Sequence, residues 1–115
     1  MRIYLAKTLE GIGMYGPIYD LGTGVPERVE EYVMSEEEQE WLLDNLVDSI
    51  NATCDTLLDD GDYDYINADK CKDLVNMIDK LPESCVKNQF ASALKVLRDY
   101  AIRAIEYNTG IAIEL

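Results

Sequence analysis

Histidine is absent from the 115-residue chain, which excludes His-based triads, proton shuttles and His-ligated metal centres. Bases are scarce: 10 Lys and Arg stand against 23 Asp and Glu, a formal net charge of −13. That balance argues against nucleic acid or an anionic membrane as a direct partner. Cysteine occurs three times, at Cys54, Cys71 and Cys85. An odd number without C-x-x-C spacing speaks against a disulfide framework or a zinc site, so each is read as a small core hydrophobe. No apolar run approaches the ~18 residues of a membrane span. Met1–Lys7 lacks the apolar stretch and cleavage site of a secretory leader, and a cytoplasmic location is expected.

What is present describes a globular protein. The chain is 48% apolar, and its length suits a single domain, 1–115, with a glycine-rich, partly β segment at 1–34 and a helical remainder at 35–115. Arg2, Ile3, Tyr4 and Leu5 alternate as one strand. Five of the seven glycines lie between Gly11 and Gly24, predicting a hairpin or meander around Met14–Leu21. Glu27–Met34 admits two readings, a short helix opened by Pro26 with Val29, Tyr32 and Val33 inward, which is favoured, or an extended stretch.

Ser35-Glu36-Glu37-Glu38 is a capping box. Leu43, Leu46, Val47, Ile50, Cys54, Leu57 and Leu58 then recur at helical spacing, predicting one long helix from Ser35 to Asp59, ended by Gly61. A second helix starts at the N-cap Asn67, buries Cys71, Leu74, Val75, Ile78 and Leu81, and stops at Pro82. A third spans 84–108, with Val86, Phe90, Leu94, Leu97, Ala101, Ala104 and Ile105 inward, an outward Asp99–Arg103 pair, and Gly110 as its break. The alternating tail Ile111–Leu115 is placed to pair with the N-terminal strand. The expected fold class is α+β: mainly helical, three amphipathic helices packed with a small β element from the chain termini.

The charge is concentrated. Between Glu27 and Asp64 there are 14 acids and the single base Arg28, so this segment carries −13 and the rest of the chain is neutral. On one helix, Glu37, Trp41, Asp44, Asp48, Asn51, Asp55 and Asp59 would form a continuous stripe opposite the leucines. Asp60, Asp62, Tyr63, Asp64 and Tyr65 follow, acids interleaved with tyrosines. The plain interpretation is a solvated face that keeps the protein in solution. Yet like charges at i,i+4 each cost a few tenths of a kcal/mol, and a structural role alone gives no reason to omit interspersed lysines.

Two motifs fail on context. Gly11-Ile12-Gly13-Met14-Tyr15-Gly16 fits the dinucleotide fingerprint by letter, but Pro17–Gly22 after it has no helical period, and βαβ units are missing. Asp60-Gly61-Asp62-Tyr63-Asp64 resembles the start of a calcium loop, but its sixth and twelfth positions are Tyr65 and Cys71 instead of glycine and glutamate. No nucleophile has a base beside it, so no enzyme, cofactor or metal is expected. The leading expectation is a small acidic binding protein that neutralises a basic protein partner. Its most concrete form is an immunity protein that blocks the cationic active site of a bacterial nuclease toxin. A DNA-mimic or regulatory protein of phage type, or a structural subunit with a wet acidic face, are the alternatives.

Overall fold

The computed structural model describes all 115 residues, Met1–Leu115. Arg2–Ala6 forms strand β1, in which every residue but Arg2 is buried. Burial on both faces is the mark of a central strand covered on two sides. Ile3 and Leu5 face the helices, whereas Tyr4 and Ala6 join a smaller apolar cluster with Leu21, Val29 and Ala112. The tail, β6 (Gly110–Glu114), pairs antiparallel with β1, Arg2 opposite Glu114 and Leu5 opposite Ile111. The pairing of the two terminal segments is therefore as the alternation of each predicts.

Two further strands flank this pair. Residues Val29–Val33 are an edge strand, β4, and not the expected short helix; Tyr63–Asn67 form the opposite edge, β5. The sheet order is β4-β1-β6-β5. Pro26 opens only a turn, in which the Val25 carbonyl accepts from Arg28 and Val29 N–H. The β-branched and aromatic residues that follow then extend. Glu30 reaches across to Arg103 at 2.6 Å, and the Tyr32 hydroxyl donates to Glu38 at 2.8 Å, tying the strand to the helical layer. Between β1 and β4 lies the expected hairpin, β2 (Met14–Tyr15) and β3 (Ile18–Tyr19), turned by Gly16 at φ 59°. The hairpin segment covers the sheet face opposite the helices, with Tyr19 and Tyr65 rings 5.4 Å apart.

The helices are more broken than their periodicity implies. Ser35 and Glu38 form the predicted capping box at 3.1 and 3.0 Å. The expected single helix is two, α1 (Glu36–Asn45) and α2 (Val47–Cys54), separated by Leu46 at φ −125°. Leu46 and Val47 are adjacent and both buried, and the helical bonds from Leu46 N–H to the Leu42 carbonyl and from Ile50 N–H to the Leu46 carbonyl run across the break. The chain leaves α2 at Asp55, in the left-handed region at φ 55°, well before Gly61. Helix α3 (Ala68–Asp79) begins at Asn67 as expected, the Asn67 side chain accepting from Lys70 N–H at 2.9 Å.

The third predicted helix is also divided, into a turn α4 (Glu83–Val86) and α5 (Ala91–Tyr107). Asn88 interrupts it by donating to the Cys85 carbonyl and accepting from Phe90 N–H, a local bonding pattern that competes with the helix. Asp99 and Arg103 pair at 3.5 Å, but Arg103 is not outward: it is partly buried and reaches Glu30 of β4. Asn108, at φ 53°, ends α5 in place of Gly110. Gly110 instead opens β6, where a side chain would collide with the Tyr65 ring and the Ile66 carbonyl.

Candidate protein-binding surface

Several of the clustered acids have internal duties. Glu30 is bonded to Arg103, Asp55 to Lys70 at 2.8 Å, and Glu31 lies 3.7 Å from Arg2. The hydrogen bond from Arg103 holds the Glu30 carboxyl below its ordinary value, and the one from Lys70 does the same for Asp55. Glu38 is spent on the capping box. Asp64 accepts the N–H groups of Leu57 and Tyr65 at 3.1 and 2.8 Å. The remaining nine, Glu27, Glu36, Glu37, Glu40, Asp44, Asp48, Asp59, Asp60 and Asp62, are exposed and make no ion pair.

The predicted stripe is thus shortened. Glu37, Asp44 and Asp48 stay outward on α1 and α2, but the helix ends at Asp55 and Asp59 lies beyond it in the loop. Gln39 of α1 donates to Asp60 at 3.4 Å, which brings the Asp59–Asp62 loop back beside the start of α1. The acids meet through tertiary contact instead of helical phase.

The aromatic anchors require correction. Trp41 is half-buried and packs against the main core, because α1 lies with that side toward the other elements. Tyr63 and Tyr65 belong to β5 and not to an exposed acidic loop. The Tyr63 hydroxyl accepts from Leu21 N–H at 2.8 Å and donates to the Tyr19 carbonyl at 2.7 Å. Burial raises its pKa well above the usual phenol range and pushes Tyr65 up to about 12. Both rings hold the hairpin to the sheet.

Two other apolar groups stand in their place. Leu57 is 86% exposed at the crest of the loop after α2. The loop is firmly held. Asn51 donates to the Leu58 carbonyl at 2.9 Å, and its Oδ1 accepts from Thr56 and Leu58 at 2.6 and 2.8 Å. The loop's far end is clamped by bonds between Gly61, Asp62 and Leu115. Tyr15, 67% exposed, flanks the hairpin turn and lines a hollow of about 380 Å³ with Asp20, Asp62, Tyr63 and Glu114. Sequence reasoning placed Leu57 inside because its spacing is helical. The hairpin tip itself was the one available signal for Tyr15, since residues next to a two-residue turn project from the sheet.

No group of three or more Cys, Asp or Glu is arranged to hold a metal ion, and no helix is long and apolar enough to cross a membrane. Comparison with protein-family models, curated proteins and solved structures finds no match to this chain.

Proposed function

We propose that this protein is a non-catalytic, cytoplasmic binding protein that neutralises a basic protein partner. In its most concrete form it is an immunity protein that occupies the cationic active site of a bacterial nuclease toxin. The observation that carries this reading is the set of nine exposed carboxylates without an ion pair, eight of them on α1, α2 and the Asp59–Asp62 loop, together with exposed Leu57 on a loop whose backbone is held. A cleft that grips phosphate presents lysines and arginines, and a surface of this kind opposes it charge for charge. Leu57 and Tyr15 supply desolvated contacts of the sort that carry most of the energy in an interface. Because the loop is already fixed, little entropy is lost on docking it.

The test is inhibition of purified basic nuclease domains. Stoichiometric inhibition is expected, with an association rate that falls steeply between low and physiological ionic strength, about 0.01 to 0.15 M. Replacing Asp59, Asp60 and Asp62 together by asparagine should slow association while leaving the fold intact. An association rate indifferent to both salt and these substitutions would refute the electrostatic reading.

A further inference from the structure

The two edges of the main sheet are not equivalent. On β5, hydrogen bonds linking Asp62 and Leu115 set the phase, so that Tyr63, Tyr65 and Asn67 turn their backbone groups away from β6. That edge is blunted: the Asp64 carboxylate takes the Tyr65 N–H, and Asn67 is already the cap of α3. On β4 the phase is set by two bonds, Lys7 N–H to the Arg28 carbonyl at 2.7 Å and Met34 N–H to the Met1 carbonyl at 2.9 Å. Glu30 and Tyr32 therefore bond to β1, and Val29, Glu31 and Val33 point their N–H and C=O groups away from the sheet. The Val29 N–H is used by the Val25 carbonyl. Those of Glu31 and Val33 have no backbone partner, and Val33 is 60% exposed.

We infer that the open edge of β4 receives an extended, basic segment of the partner as a fifth strand, an inference that rests on the acidic-binding reading above. An unpaired edge is a template for strand addition, and its charges decide who is admitted. Glu27 precedes this strand and Glu36 and Glu37 follow it, all exposed and without ion pairs. A second copy is disfavoured, since antiparallel pairing centred on Glu31 sets that carboxylate against its own equivalent between molecules that each carry −13. A lysine-bearing strand meets no such repulsion. Beside the edge lies a hollow of about 380 Å³ bordered by Lys7, Leu21, Val29 and Glu31. An added strand sends alternate side chains to that face of the sheet.

The probe is a seven-residue peptide alternating lysine and valine, compared with the same peptide N-methylated along one edge, which keeps the charge but cannot extend a sheet. Amide hydrogen exchange at Glu31 and Val33 is expected to slow by about tenfold or more with the first peptide and not with the second. Val33→Pro removes one outward N–H at a position where edge strands tolerate proline, and should weaken binding of the first peptide with the fold retained by circular dichroism. Equal binding of both peptides, with perturbations confined to α1 and the Asp59–Asp62 loop, would overturn strand addition and leave the electrostatic reading standing. No binding of either peptide would overturn both. Protection of Glu31 and Val33 that grows with protein concentration alone would assign the edge to a second copy and overturn the inference.

Discussion

At the scale of single residues, Trp41 and Leu57 exchange the places their spacing predicts. Trp41 lies against the core, so Trp41→Ala should cost about 2 kcal/mol of stability, less than the ~3–5 kcal/mol of a fully buried aromatic. Leu57→Ala should leave stability within about 0.5 kcal/mol, yet weaken partner binding by about tenfold. Urea denaturation followed by circular dichroism measures the first pair of values, and titration against the partner the last. A Leu57→Ala variant with a large loss of stability would place that side chain in the core. The exchange was not legible because the end of α2 is decided by the Asn51 hydrogen bonds to Thr56 and Leu58. Those bonds exist only once the loop has closed.

Elements were legible where one local signal suffices. The capping box at Ser35 and the cap at Asn67 start helices as read, and the alternation at both chain ends gives the central strand pair. Strands β4 and β5 were missed because neither shows a clean polar–aliphatic alternation: β4 reads Val-Glu-Glu-Tyr-Val and β5 reads Tyr-Asp-Tyr-Ile-Asn. Val29 and Ile66 are the buried residues there, and Tyr32, Tyr63 and Tyr65 are partly covered. The helix break at Asn88 arises from side-chain bonding, which periodicity does not register. Gly110 has a role visible only across strands. Its missing side chain makes room for the Tyr65 ring, so Gly110→Ala should overpack the sheet and cost roughly 1–3 kcal/mol. Thermal unfolding checks this, and an unchanged melting temperature would mean the Tyr65 ring is free to move aside.

Across the whole molecule, burial of weak acids couples stability to alkaline pH. Cys54 is pushed up to about 11, and Cys71 and Tyr65 to about 12, chiefly by removal from water. The ordinary thiol value is 9.0 and the phenol value 10.0. Raised native values mean the unfolded chain ionises first. Stability from these groups is therefore complete below about pH 9 and is lost as pH rises toward the native values. The melting temperature should be level from pH 7 to 8.5 and fall above 9, where carboxylates no longer titrate. In the same protein a thiol reagent should modify Cys85, which is only partly buried and not the core residue its setting predicts, before Cys54 and Cys71, which should react only after unfolding. Rapid labelling of all three would contradict the packing of α2 against α3.

The adjacency of β1 and β6 carries a kinetic meaning. The Thr109 hydroxyl bonds to the Ala6 carbonyl, 103 residues away in sequence. Closing a loop of that length costs about 3 kcal/mol more entropy than closing a short hairpin. The β1–β6 pairing is thus the costliest contact of the sheet to close, and folding should be slow for a protein of this helix content. Until β6 arrives, β1 and β5 present two facing, unsatisfied edges with nothing between them. A chain cut before Gly110 would keep that vacancy permanently, and would be open there to any strand that fits.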